Sequence, residues 1–287
     1  MSTLTTHTTA SRDSHSIGLC KFNTTSKAIE VSDGSNWLVY DYDLISYPAV
    51  SNEYAVDFDG TNDYMSIPDA DIFSLGNGSG TDNAFSISGW FNADSIGTFF
   101  VVTKDVNGGR EWVFRTISSQ LSFFAFGTGG GYIGRQYTTA LSTGQWYHAV
   151  VTYDGSKASS GIKLYLNGSR VDNADYGAGT YTAAANTTTI VRAGSSERDG
   201  FSNGKLDEVA IFNTELSSSN VSAIYNSGKP ATLSGYNPVG WWRMGDNDGA
   251  TGTTITDQGT GGNNGTLTNG PTFHDLSTAP DSIYVAP

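Results

Sequence analysis

Between Tyr54 and Phe212 the chain alternates apolar and polar residues at a period of two, in short runs broken by Gly, Asn, Asp and Ser. The run YAVDFDG sets Val56 and Phe58 against Ala55, Asp57 and Asp59. FSISGWF sets Phe85, Ile87, Gly89 and Phe91 against Ser86, Ser88 and Trp90. A period of two belongs to a strand whose two faces meet different surroundings. FFVVTK, EWVFRT, LSFFAF, YIGRQY, QWYHAVVTYDG, IKLYLNGSRVD, TTIVRAG and GKLDEVAIF continue the series. Strand signals recurring about every ten residues predict a two-sheet sandwich. Asn167-Gly168 at the tip of IKLYLNGSRVD suits the positive φ angles of a two-residue hairpin turn. One segment has a helical period: Val221, Ile224 and Tyr225 line one face, Ser217 can cap it, and Gly228 and Pro230 end it. The predicted class is all-β: a two-sheet antiparallel sandwich with one short helix.

The ends differ. Residues 1–16 are mostly Thr, Ser and His and bury nothing, so a flexible N-terminal arm is expected. Residues 17–48 hold three short apolar-aromatic runs between turns, a small β meander. Three strands bury too little to stand alone, so this meander is expected to serve attachment or oligomerisation. LISYPAVSNE, around Pro48, reads as a linker, and 276–287 as a tail. The segment GWWRMGDNDGATGTTITDQGTGGNNGTLTNGPTF carries Trp241, Trp242 and Met244, which are costly to leave in water. It therefore predicts a sandwich strand over 239–244 and a short strand near Gly265–Leu267, so that the main domain spans 49–275.

Composition narrows the partners. The 287 residues include 35 Gly, 15 Tyr, 14 Phe and 6 Trp, but only 15% are charged. The net charge of −13 repels a phosphate backbone, so nucleic acid is not expected as a partner. The single cysteine, Cys20, permits no internal disulfide. The first sixteen residues lack the basic start and apolar core of a signal peptide, and no 18-residue apolar run predicts membrane insertion.

Two resemblances follow from these motifs. YAVDFDGTNDYMSIPD, FSISGWFN, GQWYHAVVTYDG, IKLYLNGSRVD and GKLDEVAIFNTELSSSNVSAIYNSG, in this order, resemble the laminin-G-like, concanavalin A-like jelly-roll domain. The resemblance implies two curved antiparallel sheets, glycan or protein binding, and often calcium, with Asp207 carried over as a helper of a structural ion. The GWWRMGD segment is similar to the piece that precedes DFDG in many family members; here it follows the helix, as in a circular permutation. KFNTTSKAIEVSDGSNWLVY is similar to short segments of bacteriophage fibre and virion appendage proteins, through Phe22, Asn23, Thr24, Thr25, Lys27, Glu30, Val31, Asp33, Gly34 and Trp37. That resemblance implies a virion surface protein made in a host cytoplasm. It also implies contacts with other virion proteins through the N-terminal region, and a homotrimer.

Candidate chemistry is sparse. Glycosidases of this fold use a carboxylate pair, in an E-x-D-x-(x)-E pattern that the chain lacks. Asp207 and Glu208 are adjacent, so on a regular strand they face opposite sides. His148 lies mid-strand and reads as structural, and Gly-x-Ser-x-Gly is absent; no enzymatic activity is expected. Calcium needs six to eight oxygens. Asp57, Asp59, Asp63, Asp207, Asp246 and Asp248 are the candidate ligands, with Asp257 nearby, although an EF-hand register fails for want of the closing Glu. The alternative is that these carboxylates cap turns. A host surface glycan would want aromatic faces and polar groups from loops: Arg110, Trp112, Tyr132, Arg135, Arg198 and Phe201 are the candidates, the last two in GSSERDGFSNG, a loop suited to a binding rim. GTGGGYIG lacks the helix and Lys-Ser/Thr of a phosphate cradle and reads as a hairpin. Head decoration and a fibre or tail component touching host glycans remain open as roles, beside a bacterial lectin-like adhesin or carbohydrate-binding module.

Overall fold

The computed structural model describes residues 52–276 and, before them, the backbone of four strands; the rest of 1–51 and residues 277–287 lie outside the described residues. The chain divides into two units, 1–50 and 51–287. In the first, β1 (Thr5–His7), β2 (Cys20–Asn23), β3 (Ala28–Ser32) and β4 (Trp37–Tyr40) form one sheet in that order. The strands from β2 to β4 are the antiparallel meander that the apolar runs predict. The arm differs from expectation: Thr5–His7 lies parallel to Lys21–Asn23. A polar triplet with no core to fill can still satisfy its backbone by adding to a sheet edge. The linker around Pro48 lies outside the described residues.

The second unit continues with β5 (Tyr54–Asp59), β6 (Tyr64–Ile67), β7 (Phe85–Ala93), β8 (Thr98–Lys104), β9 (Trp112–Ile117) and β10 (Gln120–Phe126). Next come β11 (Tyr132–Gln136), β12 (Trp146–Tyr153), β13 (Ile162–Leu166), β14 (Ser169–Arg170), β15 (Ala174–Ala178) and β16 (Val191–Ala193). The short hairpin of β17 (Ser195–Ser196) and β18 (Gly200–Phe201) leads into β19 (Asn203–Phe212), then helix α1 (Ser218–Tyr225). The chain closes with β20 (Gly240–Trp242), β21 (Thr254–Ile255), β22 (Gly265–Thr268) and β23 (Thr272–Asp275). One sheet runs β14-β13-β12-β7-β19-β5-β23, with β20 also on β19; the other runs β15-β11-β10-β9-β8-β16-β6-β22-β21. Except for β1 on β2, the pairings are antiparallel. This is the jelly-roll sandwich that the alternation predicts. Among the described residues no helix is long and apolar enough to cross a membrane.

Alternate residues supply the core. Phe58, Ile87, Phe91 and Val151 of the first sheet pack with Phe99, Phe114, Phe123 and Val191 of the second, all buried. The opposite face of the first sheet is covered by α1: Val221 and Ile224 pack on Val150, Ala210 and Phe212. Ser217 caps the helix by accepting from the Asn220 amide at 3.1 Å. Asn167 and Gly168 take φ of 49° and 77°, as the hairpin tip requires.

The Gly- and Asn-rich C-terminal segment belongs to this sandwich. Trp242 pairs with Val209 and Gly240 with Ile211 across β20 and β19. β22 and β23 pair with β6 and β5, covering edges that would otherwise stand open. Trp242 is fully buried against Phe73, and its Nε1 donates to the Asn263 carbonyl at 2.9 Å. Asp257 folds the loop by accepting from the amides of Trp241, Gly259 and Asn263 at 2.7–2.8 Å.

One strand breaks the period. β19 shifts register between Asp207 and Ala210, and Glu208 takes a φ of 48°. This bulge turns consecutive side chains to the same side. The expectation that Asp207 and Glu208 face opposite sides is therefore overturned; both are buried, at 0% and 2% exposure.

Replacing Trp242 by Ala removes a buried aromatic and its hydrogen bond and is expected to cost about 3–5 kcal/mol in denaturant unfolding. A loss under about 1 kcal/mol would mean that the C-terminal segment does not complete the sandwich.

Candidate functional site

The second sheet presents a set of aromatic rings on its outer face. On β10, Phe123 and Ala125 enter the core, which turns Phe124 and Phe126 outward. They gather with Phe100 and Val113 as a second apolar cluster. Phe126 lies opposite Tyr132 across β10 and β11, with ring centroids 5.6 Å apart. Gly134 sits between Phe124 and Tyr176 in adjacent strands. Its missing side chain lets those rings meet edge to face at 5.4 Å; a Cβ there would stand 2.5 Å from the Phe123 carbonyl. Tyr132 and Tyr176 then extend the aromatic strip, 6.4 Å apart, with Tyr176 exposed.

At one end of this strip lies a cleft of about 470 Å³. Its floor and walls are Phe126 and Tyr132, Arg110 and Arg198, the glycines of the 108–109 and 127–131 turns, and Thr187. The Arg110 guanidinium lies flat on Phe126, its carbon 3.6 Å from the ring centroid. Its Nε donates to Asp105 at 2.6 Å, and the other Asp105 oxygen accepts from Ser196 of the β17–β18 hairpin at 3.0 Å. Buried Lys104 anchors the rest. Its ammonium contacts Ser74 Oγ at 3.2 Å, the Thr187 carbonyl at 3.0 Å and Asp69 at 2.9 Å, and pairs with buried Glu111. Glu111 in turn accepts from the Thr187 amide at 2.6 Å and hydroxyl at 2.9 Å. The walls are thereby held before any ligand arrives.

The glycan candidates separate. Arg110, Tyr132 and Arg198 converge on the cleft. Trp112 does not: it is fully buried, tilted against Phe85, with Nε1 donating to the Phe73 carbonyl at 2.9 Å. It belongs to the inward face of β9, so that expectation is corrected. Arg135 pairs with Asp172 and Asp175. The Asp172 carboxyl, although partly desolvated, is held down at about 2 by Arg170 and Arg135, and Arg135 serves this ion network rather than the cleft. Phe201 lies beside Tyr64 at 6.5 Å, outside the cleft. Sequence reasoning missed Phe126 and the 127–131 turn. The alternation in LSFFAF carries the signal for Phe126, once Phe123 is known to face the core.

The carboxylates fall into three places. Asp57, Asp59 and Asp63 line an open cleft of about 430 Å³ together with Asp94, Asn203 and Asn269. Burial, then the neighbouring charges of Asp59 and Asp57, push the Asp63 carboxyl up, while the Asp59 amide opposes this. Lys205 lies 3.8 Å from Asp57 and 3.6 Å from Asp94. Asp248 binds the Thr256 amide and hydroxyl and shapes a turn. Asp207 and Asp246 meet Glu208, with carboxylate oxygens within 4.8 Å of one another. Here Asp207 accepts from the Asn52 side chain and the Glu208 amide, both at 2.8 Å. Glu208 accepts from Trp241 Nε1 and from Arg243 Nε. Asp246 accepts from the Glu53 and Tyr54 amides, and its second oxygen lies 3.5 Å from Arg243. Five of the six oxygens thus serve protein donors, and a guanidinium supplies the positive charge. That arrangement does not fit a calcium ion, which wants six to eight oxygens; the open cleft offers four carboxylates and two amides, with the Lys205 ammonium beside Asp57 and Asp94.

Burial pushes all three clustered carboxyls up: Asp207 well above its usual range, Glu208 to about 7 against the pull of Arg243, and Asp246 to about 6. His148 is pushed down to about 3 by burial; it lies 2.9 Å from Ser88 Oγ and close to the rings of Trp90 and Tyr225. It is a neutral structural residue.

The family is decided by a match outside any single site. The sequence model of the concanavalin A-like lectin/glucanases superfamily matches residues 59–222, more than half of the chain. The chain belongs to that superfamily. Among solved superfamily-like folds, a candidate carbohydrate-binding protein of Bacteroides ovatus is similar at 20% identity with a TM-score of 0.54, covering 79% of this chain. This chain spans only 60% of that protein's length. Domain 4 of a Geobacillus stearothermophilus arabinanase, in complex with arabinotriose, is similar at 19% identity and TM-score 0.37, over 52% of this chain and 70% of that one. A heptameric pentraxin of Limulus polyphemus is similar at 14% identity and TM-score 0.42, over 61% and 82%. No curated protein matches the sequence. At these identities the likeness concerns the fold, and the Bacteroides structure alone of the three carries it.

Raised carboxyl pKa values favour folding below the unfolded values near 4, and that contribution is lost as pH rises through about 6–7. The melting temperature is expected to fall between pH 5 and pH 8, and Glu208→Gln to flatten the fall by about half. An unchanged slope in that variant would contradict the account of the cluster. Millimolar calcium is expected to raise the melting temperature by about 2–4 °C through the open cleft, and Asp63→Asn to lose the rise. A rise kept in that variant would place the ion elsewhere.

Proposed function

We propose that the chain is a non-enzymatic, glycan-binding surface protein of a tailed-bacteriophage virion. The observation that carries the binding half is the preformed cleft where half-buried Tyr132 lies beside Phe126 and the Arg110 guanidinium that covers it, so that a flat ring and polar donors lie together on the outer face of a sheet. A pyranose stacks its C–H face on such a ring and hydrogen-bonds at its edge, and little ordering cost remains when the walls are already fixed. No carboxylate lines this cleft. Glycoside hydrolysis needs two carboxyl groups about 5–9.5 Å apart around the bond, so the cleft supports retention rather than cleavage. Asp207 and Glu208, although brought together, are buried and occupied by Asn52, Trp241 and Arg243.

The virion half rests on the similarity of residues 21–40 to fibre and appendage segments. In this reading the N-terminal unit joins other virion proteins and trimerises, and the sandwich faces outward as head decoration or as part of a fibre or tail. A bacterial carbohydrate-binding module has the same family and the same cleft in its favour and lacks only that N-terminal role. Calcium enters the proposal at the acidic cleft, where Asp57, Asp59, Asp63 and Asp94 would hold it and it would offset their mutual repulsion.

A two-armed experiment tests the reading. On a glycan array the full chain is expected to bind a defined set of sugars, and Tyr132→Ala to lose at least about tenfold in affinity. Mass spectrometry of purified particles from a phage encoding the chain is expected to find it as a stoichiometric component. An array without binding would sink the lectin role; absence from the particles would leave the bacterial module.

A further inference from the structure

We propose that the cleft selects sugars bearing an anionic group, and that Arg110 and Arg198 hold that group; the proposal rests on the glycan-binding reading above and names its ligand class. The charge pattern points there first. The chain carries a net charge of −13, yet the charged side chains that line this cleft are two arginines and no carboxylate. In so acidic a protein a neutral sugar would be served as well by amides and hydroxyls.

The two guanidiniums keep donors free for a ligand. Asp105, fully buried behind Arg110, engages its Nε, and among the described residues no hydrogen bond uses the two terminal nitrogens. Asp199 is committed to Arg115 at 2.8 Å, which leaves Arg198 with a contact of only 3.6 Å and no guanidinium hydrogen bond. An unpaired guanidinium edge of this kind matches a carboxylate, sulfate or phosphate by two parallel N–H···O bonds.

Position agrees with charge. Arg110 is held flat on Phe126, and Glu111, the next residue, is fixed by Lys104 and Thr187. The donor fork is therefore preorganised rather than gathered on binding. Gly108 and Gly130 take φ of 86° and 81°, and a Cβ at either would meet nothing within 4 Å, so the rims stay low and the guanidiniums stay reachable. A sugar ring resting on Tyr132 would share one cleft with both arginines.

The test compares sugars that differ only in charge. Titration calorimetry of the full chain would use an oligogalacturonate, its neutral galactose counterpart, and the sulfate and phosphate esters of the same galactose oligomer. At least one anionic form is expected to bind about tenfold or more tightly than the neutral one, with an advantage that shrinks as salt rises; the ranking of the three anions identifies the group. Arg198→Gln and Arg110→Gln are expected to reduce the preference below about threefold. Arg170→Gln, an exposed arginine outside the cleft, is expected to keep it. Melting temperatures within about 2 °C of the parent would show that Arg198→Gln folds. Equal binding of neutral and anionic forms, or a preference that survives both cleft substitutions, would overturn the inference while leaving glycan binding intact. No binding to any of the sugars would overturn the inference, and the glycan array decides the reading on which it rests.

Discussion

An ammonium group without access to solvent holds the binding face together. Lys104 is fully buried at the end of β8, and its charge is met by Glu111 just before β9, Asp69 and the Thr187 carbonyl, with Ser74 completing the set. Such a charge is tolerated in an interior only when it is paired and hydrogen-bonded, and removing one partner typically costs about 3–5 kcal/mol. The pairing therefore dictates where four separate segments run. Two of them border the cleft: Glu111 follows Arg110 in the chain, and Thr187 is itself a wall. Rings and donors on the outer face are placed by a charge buried away from solvent.

A second closed set of charges explains why the C-terminal segment belongs to the sandwich. The β19 bulge turns Glu208 toward Arg243 and Trp241, residues that arrive with β20. Asp246 from the following turn binds the amides that open β5. Strands distant in sequence are thus tied at one buried point. The same ties occupy all three of these carboxylates. The rings and arginines of the proposed glycan cleft lie on the opposite sheet.

Much of the fold was legible in the sequence because it rests on local periodicity. Val56 and Phe58, or Phe85, Ile87 and Phe91, must share a face whatever they pack against. Ser217 and Asn167-Gly168 mark a helix start and a hairpin tip by chemistry confined to a few residues. Trp241 and Trp242 announced a buried segment amid glycines and asparagines. What stayed hidden depends on distant partners. A non-glycine residue at positive φ, such as Glu208, is held there by tertiary contacts, so the bulge leaves no local mark. Lys104 ends FFVVTK as any solvated lysine might. Trp112 and Phe126 both read as exposed or buried with equal right until the core chooses its side of β9 and β10. Thr5–His7 became a strand by joining β2, an edge that the triplet itself does not reveal. Of the cleft, the sequence pointed to Arg110, Tyr132 and Arg198 by residue type; their meeting is a property of the sheet.

The central claim is that this one face, and not the acidic cleft across the molecule's sequence at Asp57–Asp63, receives the ligand. Amide chemical-shift mapping during titration with a charged oligosaccharide tests it directly. The account requires the largest shifts at 108–110, 127–132, Thr187 and Arg198, with 57–63 and 269–272 unmoved. Shifts concentrated at 57–63 and 269–272, with the arginine cleft silent, would contradict it.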